Sequence, residues 1–424
     1  LMFNQGLSLD QAPPASLPFR FFLTAPLFGI LLGLVFFFFP LDSIIDQYSP
    51  IAVASVHLFT LGMLSMIIFG AMQQMMPVLA GAVIKKPMLF GSIVHASLTL
   101  GTLLFSASFL YNNQIFLIAG SSLLALAFFL FFATAVYLLF KVKFLTSTVS
   151  AMRLFSLCGV ITALLGVYLS GTYIIGEVSS AHFNFVNTHA AFGLFGFAVI
   201  LVMGVAFQII PMFYVALDFP KYIQNKIPTV VLILIIAIGL SLFLGIEIYA
   251  LKLLLAFMFI LFSAYGLNSL NNRRRPVFDV TLWFWKLSLV MFIVSMLNWL
   301  FVPQDNMFTL AVMFGFGFLY SLLQGMMYKI IPFLSWFHLS SSGHMLIPTM
   351  REMINEDLIK IQFFIFVSSL FFFILAGFLS NIFLYVGALL FIVANILLIV
   401  NCSMAVLKYN KIAKTDPLDA FKNK

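Results

Sequence analysis

Two imidazoles lie inside long apolar runs of this 424-residue chain. His57 opens HLFTLGMLSMIIFGAMQQMMP, and His189 opens HAAFGLFGFAVILVMGVAFQIIP. An ionisable ring in an apolar run is costly, and where one occurs it marks a candidate functional site. The chemistry open to a neutral imidazole there is ligation of a metal. Thioethers at Met63, Met66, Met203 and Met313 are soft partner ligands for such rings. Most of the 21 methionines nevertheless read as packing residues. The other histidines read differently. His182 stands seven residues before His189, on the same face at the outer rim, and is expected to be solvated. His95 is expected to be a hydrogen-bonded structural residue. His338 and His344, six apart, fall in a predicted loop, where solvated side chains are expected and a paired metal site is the alternative.

The elements that position these rings are membrane spans. The chain is 63% hydrophobic and 8% charged, whereas a soluble chain is about a quarter charged. A spanning helix needs roughly 20 apolar residues. Twelve stretches qualify: about 19–39, 51–77, 88–111, 114–140, 150–174, 184–213, 227–245, 247–269, 279–302, 307–333, 361–380 and 382–407. The predicted fold is all-α, a polytopic membrane protein in contact with the lipid bilayer. Residues 1–18 read as an interfacial arm, 19–408 as one membrane domain with a loop over 334–360, and 409–424 as a tail. A short interfacial helix is expected between Thr349 and Lys360.

Loop charge sets the expected orientation. Lys85, Lys86, Lys141, Lys143, Arg153, Lys221, Lys226, Arg273, Arg274, Arg275, Arg351 and Lys360 follow even-numbered spans, whereas the odd loops hold Asp42, Asp46, Glu177 and Asp305. Both termini are expected in the cytoplasm, and the membrane is expected to be a bacterial inner membrane. The net charge of +8 resides in these short loops, so it is no nucleic-acid footprint. Cys158 and Cys402 lie in apolar segments, form no CxxC pair and read as buried free thiols.

The second, sixth and tenth spans share G-x7-G-x3-[Q/K]-x2-P. The copies are Gly62, Gly70, Gln74, Pro77; Gly196, Gly204, Gln208, Pro211; and Gly317, Gly325, Lys329, Pro332. Their prolines stand 134 and 121 residues apart. A repeat every four spans predicts three four-helix units related by a pseudo-threefold axis. The glycines admit close backbone approach, and the prolines are expected to end each helix. His57 precedes its first motif glycine by five residues and His189 by seven. That offset is about 200° of helix rotation, so the rings are not equivalent within the repeat.

Twelve spans, three four-helix arcs and histidines in the outer halves of spans two and six resemble subunit I of the haem–copper oxidases. The NnrS group is a looser relative in outline. The resemblance implies that His57 corresponds to an axial ligand of a haem and His189 to a copper ligand, so that a haem b or a copper ion is held in the outer half. Met313 is a further candidate cofactor ligand. The chain departs from that pattern at several places. The tenth-span histidine pair would fall at Leu310 and Val312, the seventh span holds no histidine, and the sixth-span tyrosine position is Gly193. The ligand set for an oxygen or nitric oxide reductase is therefore incomplete, and the resemblance implies a single cofactor rather than a full oxygen-reducing centre. Two other readings are a transporter or channel, with Gln73, Gln74, Gln208 and Lys329 near one face, and a cofactor-free structural or assembly subunit that associates with other membrane subunits or with a second copy.

Overall fold

The computed structural model describes residues 11–176, 179, 181–246, 248–302 and 307–417. It is helical, and among the described residues twelve helices are long and apolar enough to cross a membrane. They are α1 Ser16–Phe38, α2 Pro50–Ala80, α3 Pro87–Tyr111, α4 Gln114–Lys141, α5 Ser147–Ile175, α6 His182–Tyr214, α7 Lys221–Phe243, α8 Tyr249–Asn271, α9 Thr281–Phe301, α10 Met307–Ser341, α11 Glu356–Ala376 and α12 Asn381–Ile412. The apolar length rule thus locates every span.

Local chemistry starts and stops them. Ser49 accepts from the Ala52 N–H at 3.0 Å, with Pro50 as the first residue of α2. Asn113, Thr146 and Asn355 cap α4, α5 and α11 in the same way. Each satisfies a donor that helix geometry orphans. At the far end of α4, Arg153 donates to the carbonyls of Leu139 at 3.0 Å and Val142 at 2.8 Å. A cation there also meets the negative end of the helix dipole.

The chain divides into two compact units. One takes Met72–Val277 and Leu289–Gln304, and the other takes Pro13–Ala71, Phe278–Ser288 and Asp305–Lys424. In the first, α3 packs on α4, α4 on α5, and α5 on α6, while α7 and α8 pack on each other and on α6. In the second, α1 lies along α2 and α12, and α10 packs on α11, α12 and α2.

The three motif helices are the most enclosed. In α2, α6 and α10 the buried share of the apolar window is 67%, 67% and 83%, against 56% in α1 and no more than 39% in the others. All three change to π-helix at the first motif glycine: Leu58–Ser65, Phe192–Val199 and Val312–Tyr320. Ser65 shows the wider winding, because its hydroxyl donates to the carbonyl five residues back, Thr60 O, at 2.7 Å. In each copy the second motif glycine meets the helix that precedes it in the chain. A Cβ on Gly70 would stand 2.6 Å from Phe21 Cβ of α1, one on Gly204 2.2 Å from Ala151 Cβ of α5, and one on Gly325 2.6 Å from Phe284 Cβ of α9. The glycines are where backbones approach closest.

The prolines do not end their helices. Pro77, Pro211 and Pro332 all lie inside α2, α6 and α10. Proline removes one main-chain donor, and near a helix end that loss leaves the remaining turns intact. Consequently α10 runs on to Ser341, and the predicted loop over 334–360 shrinks. It holds a four-residue helix, Met350–Met353, while Lys360 already belongs to α11. The arm predicted over 1–18 is shorter too, since α1 begins at Ser16 and residues 1–10 lie outside the described residues. At the other end α12 extends to Ile412, and 418–424 also lie outside the described residues.

The Met350–Met353 turn carries a pH-sensitive cap. Glu352 accepts from the Thr349 N–H at 2.8 Å. That main-chain bond, followed by the Thr349 side chain, holds the carboxyl below its usual value. A lowered carboxyl stabilises the turn above the ordinary carboxylate range, and the contribution is lost as pH falls through the lowered value. Amide exchange corrected for intrinsic pH dependence should show Thr349 losing protection as pH falls below the ordinary carboxylate range. In Glu352→Gln the same titration should be flat.

Candidate functional site

His57 is half-buried at the foot of the α2 π-segment. Its Nδ1 donates to the Val53 carbonyl one turn back, at 2.8 Å. His189 is half-buried three residues before the α6 π-segment. Its Nδ1 donates across to Thr162 O of α5 at 3.0 Å. Gly166 makes room for that ring, since a Cβ there would stand 3.2 Å from the imidazole Cε1. In both cases a main-chain carbonyl fixes the tautomer and the ring plane, and Nε2 becomes the nitrogen through which iron or copper would bind.

The donor sets decide what each ring fits. An imidazole oriented through Nδ1 by a carbonyl suits an axial haem ligand. A closed copper or zinc centre is different, because it needs several donors at one point. Among the described residues there is no group of three or more His, Cys, Asp or Glu side chains able to hold an ion. Among the thioethers, Met63, Met66 and Met203 are fully buried core residues, and Met313 is half-buried in the α10 π-segment. The two thiols, Cys158 and Cys402, are free and buried.

Several side chains sit elsewhere than their sequence context implied. His182 is buried rather than solvated. Thr172 of α5 lies 3.3 Å from its Nδ1, and the Tyr173 ring meets it edge-on. His338 is half-buried because α10 continues past it. His344 is part-exposed in the loop, as expected, and there Ser342 Oγ and Thr415 O each lie 3.1 Å from its ring nitrogens, so it ties the loop to the tail. Lys329 is ion-paired with Asp279 at 2.5 Å, each side chain 18% exposed. Asp279 also accepts from the Thr281 N–H and hydroxyl at 2.9 and 2.6 Å, which starts α9. Gln74 is buried, and its Oε1 accepts no hydrogen bond among the described residues. Gln208 is half-buried. Lys286, half-buried inside α9, is a span cation that the loop-charge argument passes over.

The largest feature missed by reasoning from ionisable residues is a buried polar seam in the second unit. Tyr320, Gln324 and Tyr328 form an i, i+4, i+8 stripe on α10, and all three are sealed from solvent. Tyr320 donates its hydroxyl to Asn395 Oδ1 of α12. Gln362 of α11 donates to Gln324 Oε1 at 2.6 Å and to Ala394 O at 3.3 Å. Asn401 of α12 donates to the Tyr328 hydroxyl at 3.1 Å and to Leu358 O of α11 at 3.3 Å. Gly29 of α1 covers the Asn395 amide so closely that a Cβ would fall 2.2 Å from Oδ1. The stripe spacing was the available signal.

No family model matches the chain, and no curated protein matches it.

Proposed function

We propose that this integral membrane protein is a haem–copper-oxidase-like scaffold, three four-helix units built around α2, α6 and α10, that offers His57 or His189 as the nitrogen ligand of one haem b or one metal ion. The observation that carries the reading is the carbonyl bond at each Nδ1, which directs ligation through Nε2. The scaffold half is supported by the shared phase of three features in all three motif helices: the π-segment, the tight second glycine and the contact with the preceding helix. The one-sided loop charge supports placing both termini in the cytoplasm, and the membrane of this reading is a bacterial inner membrane. A haem bound there would supply one-electron transfer. The protein's own part is to hold the imidazole neutral and oriented. The ligand set argues against oxygen or nitric oxide reduction by this chain.

The test is an oxidised and a reduced optical spectrum of the purified protein, with metal analysis alongside. A Soret band at about one haem per chain is expected, falling at least tenfold in His57→Ala or in His189→Ala. Stoichiometric copper or iron without that band would assign the site to an ion, in favour of the transporter reading. Neither haem nor metal would leave a structural or assembly subunit.

A further inference from the structure

The polar seam has a direction. Tyr328, Asn401 and Leu358 stand at one end, where α11 begins and where the part-exposed Lys329–Asp279 pair lies. Tyr320 stands eight residues away along α10, which is about 12 Å along the helix axis, or some 40% of a 30 Å hydrocarbon core. Beyond Tyr320 the seam is closed by rings. Tyr320 meets Phe59, Phe366 and Phe391 at centroid distances of 6.4, 5.9 and 5.9 Å, and Phe316 lies 4.8 Å from Phe391.

Within the seam the bonding is incomplete. Gln362 is fully buried and donates to Gln324 Oε1 and Ala394 O, while its Oε1 accepts from no donor among the described residues. A buried amide oxygen left without a donor costs about 1–3 kcal/mol. The polar side chains of the seam are the amides of Gln324, Gln362, Asn395 and Asn401 and the phenols of Tyr320 and Tyr328, and none of these carries charge. An ion would therefore meet no counter-charge, whereas a neutral donor would complete the pattern. Buried polar groups of this kind are satisfied by water that makes two to four bonds.

We propose that the seam is a water-binding recess entered from the Lys329–Asp279 end, passing Tyr328 and Asn401, reaching Gln362 Oε1 and ending at the phenylalanine wall beyond Tyr320. It is a dead end rather than a pore. Its ligand class is water, or a neutral donor of that size. It does not depend on a cofactor at His57 or His189.

Two thiol measurements test it. Cys402 follows Asn401 of the seam on α12. Cys158 packs against Gly196, where the Cβ clearance is 2.7 Å. Both are 0% exposed. In the native chain in liposomes, hydroxyethyl methanethiosulfonate should modify Cys402 at least tenfold faster than Cys158, read by peptide mass spectrometry. Equal rates would overturn the recess. In a Cys158→Ala/Cys402→Ala background, Gln362→Cys should react at least tenfold faster than Phe373→Cys, which is equally buried on the same helix. Matching slow rates there would overturn it as well, and the native-cysteine comparison stands even if Gln362→Cys does not fold.

Discussion

Gly204→Ala is expected to destabilise the protein by about 2 kcal/mol, and Ala151→Gly in the same chain is expected to restore it. The added methyl would lie 2.2 Å from Ala151 Cβ. That atom cannot rotate away, because its position is set by the α5 backbone, so α5 and α6 must separate. Overpacking of this kind costs about 1–3 kcal/mol, occasionally more. A 2.2 Å approach to a fixed atom belongs at the upper end of that range, and alanine's recovery of about 1 kcal/mol of helix propensity over glycine then leaves the net figure. Ala151→Gly alone loses that propensity and opens a small gap. In the double variant the two methyl groups have exchanged helices, so the contact is rebuilt and the propensity terms cancel. The coupling between the two sites should therefore approach the sum of the two single costs. Gly171→Ala is the control, since its Cβ would meet nothing within 4 Å. It should be neutral or slightly stabilising. Melting midpoints of detergent-purified protein decide the matter. A Gly204→Ala variant as stable as the parent would mean that the second motif glycine does not set the α5–α6 distance.

The glycine motif was legible because a recurring close approach demands a residue without a side chain at a fixed position. The same argument failed at Pro77, Pro211 and Pro332. A proline forfeits one hydrogen bond wherever it stands; at Pro77 and Pro211, three residues before a helix end, that is no reason to stop, and at Pro332 the helix absorbs the loss and runs on to Ser341. The π-segments left no trace in the residue pattern, since an apolar run reads alike whether its main-chain bonds reach back four residues or five. Only their coincidence with Gly62, Gly196 and Gly317 gives them meaning. The histidines were found because an imidazole in an apolar run stands out. Their bonding partners were not, because Thr162 O and Val53 O are main-chain atoms that every residue possesses. His182 was misplaced for a related reason: its cover comes from Thr172 and Tyr173 of another helix. The seam was overlooked because amides and phenols carry no charge, although Tyr320, Gln324 and Tyr328 share one face at helical spacing.

Asp279→Asn is expected to be the more damaging of two single changes at the α9–α10 ion pair, at about 3 kcal/mol. The ammonium of Lys329 and the carboxylate of Asp279 meet at 2.5 Å with both side chains 18% exposed. Removing one member of an enclosed pair strands the other charge, and that costs about 3–5 kcal/mol in a fully buried case. Asparagine can still accept from Thr281, so the start of α9 survives and the loss reports the missing carboxylate partner of Lys329. Lys329→Gln should cost less, because Asp279 keeps its two bonds from Thr281. Glutamine is also the residue that the other two motif copies carry, as Gln74 and Gln208. With Lys329→Gln and Asp279→Asn together no charge is stranded, and stability should return to within about 1 kcal/mol of the parent, since a neutral replacement of an enclosed pair is often neutral. The order expected in thermal unfolding is therefore parent, double variant, Lys329→Gln and then Asp279→Asn. If Asp279→Asn alone melts with the parent, Lys329 reaches water or lipid headgroups without its partner, and the lysine is a snorkelling residue rather than half of a helix-to-helix clamp.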